Sequence, residues 1–191
     1  MGDIQKVKDI LRESISVKER FLSDEVNVAA VAEAAELMID RFDKGGKVLV
    51  FGNGGSAADS QHFAAELVVR FEKERKALPC VALTTDTSII TAASNDYSFE
   101  RIFSRQLEAL AGPDDVAFAV STSGNSPNVL EAVKSAREKG IPVISLTGRD
   151  GGMIARESDI AITVKADNTA RIQEVHSVIL HMICKIIEES L

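Results

Sequence analysis

A parallel α/β sheet of about five strands, covered by helices on both faces and preceded by a helical hairpin, is the fold this sequence predicts. Five short apolar runs carry the sheet: Val48 to Phe51, Cys80 to Leu83, Val116 to Val120, Val143 to Leu146 and Ile160 to Val164. Each is followed by a turn and then a helical pattern, and that alternation belongs to parallel sheets whose crossovers are helices. The hairpin rests on a change of pattern. Before residue 45, Ile4, Val7 and Leu11, then Val28, Val31, Ala35, Met38, Ile39 and Phe42, recur every three or four residues, the spacing of an apolar helix face. Gly45-Gly46 closes the second helix as a C-cap. A last helix runs from about Ala170 to Leu191. No repeat, low-complexity tract or Pro-rich linker divides the core, so residues 1–191 are expected to form one domain, with 1–45 as the hairpin and 46–191 as the α/β core with its closing helix.

The bulk numbers limit the partners. With 22 Lys and Arg against 29 Asp and Glu the formal net charge is −7, which leaves no basic field for a nucleic-acid backbone or an anionic membrane surface. The longest apolar stretches fall far short of the roughly 20 residues that span a bilayer. Met1 to Lys6 shows neither an apolar signal core nor a myristoylation pattern. The expectation is a cytoplasmic protein with no nucleic-acid or membrane partner. Cys80 and Cys184 lie in apolar runs without metal-type spacing, and both read as buried reduced thiols.

In a sheet of this kind ligands bind beyond the carboxyl ends of the strands, at the switch point. Asn53-Gly54-Gly55-Ser56 follows the first strand and opens a helix. Ser121-Thr122-Ser123-Gly124-Asn125-Ser126 follows the third, with Pro127 suited to the first helical position. Both turns offer backbone N–H groups at a helix N-terminus, and the second adds four hydroxyls, a combination that suits a phosphate dianion without lysine. For one such loop, a tight turn with ordinary helix caps is a sufficient account. Two of them point to a sugar-phosphate site. Neither carries the Gly-Lys-Ser/Thr of a nucleotide P-loop or a clean GxGxxG turn.

The chain holds three histidines. His62 and Glu66, four apart on the helix after the first loop, lie about 40° apart around its axis and can point the same way. Taken alone, they are an exposed histidine beside a solvated glutamate. The closing helix adds Gln173, His176 and His181. Gln173 and His181 are about 80° apart around that helix and about 12 Å apart along it, so they share a ligand only if both side chains lean together. His176 lies roughly 140° around from His181 and takes a supporting or structural role. His62, Glu66, Gln173 and His181 have the donor types of a zinc site, the amide oxygen being a weak ligand beside the others.

Five stretches, FGNGGSAADSQHFAAEL, SNDYSFERIFSRQ, STSGNSPNVLEAV, LTGRDGG and ARIQEVHSVILH, occur in this order along essentially the whole chain. Together they resemble the phosphoheptose isomerases of the sugar isomerase (SIS) domain superfamily. The resemblance implies a three-layer SIS domain with a five-stranded parallel sheet, a homotetramer with sites between subunits, and one zinc ion per subunit. It implies conversion of sedoheptulose 7-phosphate to D-glycero-D-manno-heptose 7-phosphate, the first step toward the activated heptoses of lipopolysaccharide core or surface glycans. Position by position, it implies zinc ligands at His62, Glu66, Gln173 and His181. Substrate contacts are implied at Asn53, Gly54, Gly55, Ser56, Asn95, Asp96, Ser121, Thr122, Ser123, Ser126 and Gln173. Moving a carbonyl between C2 and C1 passes through an enediolate and needs a base and an acid, for which Glu66 and His181 are the candidates. A zinc-bound glutamate is a poorer base than a free one, so either Glu66 leaves the metal during turnover or another group moves the proton. Asp96 is a further titratable candidate.

Two other readings stand beside this one. The superfamily includes a non-catalytic regulator that binds the replication initiator protein, and the presence of Glu66 together with His181 counts against it. Sugar-phosphate sensor domains usually accompany a DNA-binding domain, for which this chain has no room.

Overall fold

The computed structural model describes residues 2–191; Met1, where the expected hairpin begins, lies outside the described residues. Two helices come first, α1 (Gly2–Leu22) and α2 (Glu25–Asp43). The core then alternates through β1 (Val48–Gly52), α3 (Gly55–Val68), β2 (Cys80–Ala82), α4 (Thr87–Asp96) and α5 (Ser104–Leu110). It continues with β3 (Val116–Ser121), α6 (Pro127–Glu138), β4 (Val143–Gly148), α7 (Gly152–Arg156), β5 (Ile160–Val164) and α8 (Thr169–Glu189). All five strands pair in parallel, in the order β2-β1-β3-β4-β5. The expected sheet, its flanking helices and the helical hairpin are all present. Residues 69–79 cross from α3 to β2 without helix or strand, because the charged run Glu72 to Lys76 offers no apolar face to either.

Period-two geometry divides the strand side chains between two apolar layers. Val48 and Val50 of β1 and Val116, Phe118 and Val120 of β3 face α2, α3 and α8, where Met38, Phe63, Leu67 and Ile179 are fully buried. Leu49, Phe51, Ala117 and Ala119 face the other way, against Leu107 of α5 and Val129 and Val133 of α6. Every residue of β1, β3 and β4 is buried, which is why these strands read as continuous apolar runs, whereas Val81 of the edge strand β2 is 40% exposed.

α1 departs from this pattern. Val17 and Phe21 near its end are buried, but Ile4, Val7 and Leu11, which mark it as amphipathic in the sequence, are 67%, 65% and 60% exposed. Its apolar face points away from its own chain. The helix is tied to α8 by Arg171, whose Nη1 donates to the Ile10 carbonyl at 3.0 Å and lies 3.6 Å from Glu13.

His176 on α8 is completely buried under β4, with Nε2 3.0 Å from the Thr147 carbonyl and no protein partner at Nδ1. Burial disfavours the charged ring and, against the opposing bond to Thr147, lowers its pKa to about 4. The unfolded chain, with a pKa of about 6.5, therefore takes up the proton first. This contribution to stability is fully present above about pH 6.5 and is lost as the pH falls toward 4, by at most about 3 kcal/mol. Urea unfolding followed across that window should show the slope, and His176→Gln should flatten it.

Candidate active site

The chain leaves β1 for β2 on one side of the sheet and returns to β3 on the other, so the carboxyl ends of β1 and β3 are neighbours, with Gly52 paired to Val120. Such a reversal leaves a crevice at the strand ends. Both loops singled out by the sequence open here, Asn53 to Ser56 into α3 and Ser121 to Ser126 into α6. Helices α2, α4 and α8 are capped by their own Asp24, Asp86 and Asn168 side chains. The N-caps of α3 and α6, Gly54 and Ser126, make no such bond. Ser126 Oγ instead stands 3.1 Å from Ser121 Oγ, itself 3.4 Å from Ser123 Oγ. Three hydroxyls thus gather at the start of α6, whose N-cap residue makes no capping bond, and Thr122 lies in the same turn. Gly124 fixes this loop at φ +64°, where a Cβ would come within 2.1 Å of the Gly151 carbonyl. The LTGRDGG turn packs directly on it, Ile154 N–H donating to the Gly124 carbonyl and Met153 N–H to Asn125 Oδ1.

α3 and α8 lie side by side and run in the same direction, as a ladder of contacts shows. Gln173 lies against Gly55, Ser177 Oγ donates to Asp59 Oδ1 at 3.2 Å, and His181 Nε2 stands 2.9 Å from His62 Nε2. A Cβ at Gly55 would come within 2.2 Å of Gln173 Nε2, so only glycine admits the amide. Glu66 Oε1 lies 3.5 Å from His62 Nε2. The two ring nitrogens lie within hydrogen-bonding distance, with the donor set by the tautomer.

The His181 ring also meets Phe71, centroids 5.4 Å apart. Phe71 is held by Glu188, near the end of α8, whose carboxylate accepts backbone N–H bonds from Phe71, Glu72 and Lys73 at 3.2, 2.9 and 2.8 Å. Burial raises the Glu188 carboxyl, but the N–H donors of Glu72, Lys73 and Phe71 and the Arg75 guanidinium outweigh it and hold the group below the usual carboxylate value. Arg75 in turn donates to the carbonyls of Glu66 and Leu67, at 2.6 Å each, placing a cation where the α3 dipole ends negative.

Residues 11–148 match the SIS domain. The phosphoheptose isomerase of Trichlorobacter lovleyi is 55% identical over 163 residues, 85% of this chain and 83% of that protein. That of Aquifex aeolicus is 50% identical over 186 residues, 97% of this chain and 96% of that one. The chain belongs to the phosphoheptose isomerase family. The solved structure of a phosphoheptose isomerase from Neisseria gonorrhoeae matches it with a TM-score of 0.91 at 46% identity, covering 97% of this chain and 98% of the other. NanR of Vibrio vulnificus, at 20% identity and a TM-score of 0.63, shares the fold alone. The regulator reading finds no support among these relatives.

The positions implied by the phosphoheptose isomerase resemblance fall into three places. Asn53, Gly54, Gly55, Ser56, Ser121, Thr122, Ser123 and Ser126 occupy the two loops at the switch point, with Gln173 beside Gly55. His62, Glu66 and His181 form a second group, about two helical turns further along α3 and α8. Asn95 and Asp96 stand apart: both are exposed at the end of α4, and Asp96 lines a groove with Ile89, Tyr97 and Arg105 that contains no residue of either loop. A separate groove of about 590 Å³, between the end of α1, α2 and α8, is lined by His181 and Phe71 together with largely apolar residues and includes neither His62 nor any residue of the two loops. The polar switch point is the better match for an ionised sugar.

Two imidazoles and a carboxylate are a donor set that zinc accepts with a position left open. Among the described residues no three His, Cys, Asp or Glu side chains already surround a common ion centre, although the His62 and His181 nitrogens are spaced close to what a metal would set. Tetrahedral zinc with bonds of about 2.0–2.1 Å sets two ligand nitrogens about 3.3 Å apart, a few tenths more than the distance between His62 and His181. The donor types of His62, Glu66 and His181 fit; Gln173 is turned to Gly55, about 12 Å along α8 from His181.

Asp59 lies between these groups and was passed over in the sequence. Burial raises its carboxyl, against the Ser177 hydroxyl and His62. Its signal was available: Asp59 follows Gly55 by four residues, as Ser177 follows Gln173. Two outcomes are expected. Gly55→Ala should fold, since the clash is with the end of a flexible side chain, but should displace Gln173 and weaken sugar-phosphate affinity in calorimetry. Glu188→Gln should raise hydrogen exchange at residues 71–73 above about pH 4.3, where the carboxylate is charged, and make little difference once the pH falls below its folded pKa.

Proposed function

We propose that this enzyme interconverts sedoheptulose 7-phosphate and D-glycero-D-manno-heptose 7-phosphate, at the entry to activated heptoses for lipopolysaccharide core or surface glycans. The observation that carries the reading is the pair of loops opening α3 and α6 at the switch point, whose N-cap residues Gly54 and Ser126 make no capping side-chain bond, with His62 and Glu66 further along α3 and His181 beside them on α8, roughly 10 Å or more from the first turn of α3. That span suits an extended sugar phosphate. The Asn53–Ser56 and Ser121–Ser126 loops hold the phosphate end by N–H and hydroxyl donors, and Gln173 holds the chain beside Gly55. The reacting C1–C2 end then reaches the Glu66 and His181 side chains.

Glu66 takes a proton from C1 of the ketose, giving an enediolate, and a proton is returned at C2 while His181 supplies and withdraws protons at the oxygens. Phe71 packs against the His181 ring and limits its rotation. His62, Glu66 and His181 would hold a zinc ion, which when bound supplies a Lewis acid for the sugar oxygens. A homotetramer is part of the same proposal. It is supported by the uncovered apolar face of α1 and by the separation of Asn95 and Asp96 from the loops, which a second subunit would remedy. A cytoplasmic location accords with the described helices, none of which is long and apolar enough to cross a membrane.

NMR of the sugar, with protein assayed as purified and after chelation and zinc repletion, tests the reaction and the metal together; zinc-dependent appearance of the aldoheptose phosphate is expected. Glu66→Gln and His181→Gln should each lower kcat by about 100-fold or more. Zinc content measured alongside separates the roles: lost turnover with zinc retained assigns the proton transfer to the side chain, and turnover kept by both variants would refute the assignment. Ser121→Ala with Ser123→Ala should raise KM, and unchanged phosphate-ester affinity would refute the phosphate loop.

A further inference from the structure

Resting on this reading of the two loops, we propose that Asn128 is a positioning residue for Asn53 in the sugar-phosphate site. Asn53 is the first residue after β1, and Asn128 is the second residue of α6, on the far side of the switch point. Their carboxamides face each other in a closed pair: Asn53 Nδ2 donates to Asn128 Oδ1 at 2.8 Å, and Asn128 Nδ2 donates to Asn53 Oδ1 at 2.8 Å. Asn128 is 2% exposed, whereas Asn53 sits half-buried at the site.

A reciprocal amide pair is satisfied equally well if both amides are turned over together, so the pair alone does not fix which atom of Asn53 faces the site. A third bond removes that freedom. The Val129 backbone N–H donates to Asn128 Oδ1 at 3.0 Å, so the first turn of α6 orients Asn128 and Asn128 orients Asn53. Asn53 keeps its second Nδ2–H for a ligand. The loop after β1 and the loop after β3 are thereby joined by side chains 75 residues apart in sequence. Asn128 reaches the substrate only through Asn53.

The test is a double-mutant cycle of Asn53→Ala, Asn128→Ala and the double variant. Its readouts are sedoheptulose 7-phosphate affinity by calorimetry, kcat and KM, and melting temperature as a control for folding. Each single variant is expected to weaken binding about tenfold, the scale of one lost buried hydrogen-bond partner. The double variant should be no weaker than the weaker single, because the two act as one unit. Losses that multiply, or a folded Asn128→Ala with affinity within about twofold of the natural protein, would overturn the proposal. If Asn128→Ala does not fold, Asn128→Asp replaces it, an anion that the first turn of a helix favours. Its carboxylate can still accept from Val129 and Asn53 but donates nothing back. Its loss should vanish in an Asn53→Ala background, and a loss that persists there overturns the proposal. Turnover by the natural protein tests the isomerase reading separately, since the cycle is decided by binding. Binding without turnover removes the isomerase and leaves Asn128 to the cycle, and no binding at all removes both.

Discussion

The reversal of strand order between β1 and β3 is the constraint on which the site depends. Right-handed crossovers send α3 to one face of the sheet and α6 to the other, so their first turns converge over one crevice. Had the chain moved steadily in one direction, adjacent strands would have sent their helices to the same face, and no gap would have opened between the loops. With the reversal in place, the phosphate site proposed here relies on backbone dipoles and needs no buried lysine or arginine. This accords with a net charge of −7: the attraction is local, supplied by peptide groups.

The proposed reaction also requires the imidazole end of the site to lie a fixed distance from the loops, and the seam between α3 and α8 sets that distance. Ile172, Val175, Ile179, Leu180, Ile183 and Ile187 of α8 are all buried. At about 1.5–3 kcal/mol each before the unfolded state is allowed for, this apolar stripe outweighs the few polar groups carried along its edge. Gln173, Ser177 and His181 are therefore set in register by packing, and their individual hydrogen bonds are too weak and too exposed to set it. A rigid helix carrying two site residues acts as a ruler between them.

Most of the fold was legible because a sheet buried on both faces writes itself as uninterrupted apolar runs, and five such runs with turns between them leave few alternatives. The loops were legible for a related reason: Gly54, Gly55 and the Ser121–Ser126 hydroxyls are unusual residues at predictable places. His62 and Glu66 could be paired from helical spacing within one element. What could not be read was any relation between elements. Nothing in the spacing along α8 says that Gln173 turns to Gly55 while His181 turns to His62, because that depends on α3 and α8 running parallel. Asn128 escaped for the same reason, its partner being on the other side of the sheet. The apolar residues of α1 were read correctly as a helix face, but periodicity does not say whether a face is covered by its own chain.

The clasp of Glu188 and Arg75 gives the last turn of α8 a reach beyond its position. One carboxylate holds the backbone at Phe71, Glu72 and Lys73, and the guanidinium beside it finishes α3 at the carbonyl of Glu66. Through Phe71 this clasp meets the His181 ring, and through the Glu66 carbonyl it holds the backbone that carries the Glu66 side chain. For anyone handling the protein, the last turn of α8 is therefore a poor place for an insertion or a trimming step. A change there that leaves the sheet and both loops at the switch point intact would still loosen the imidazole pair.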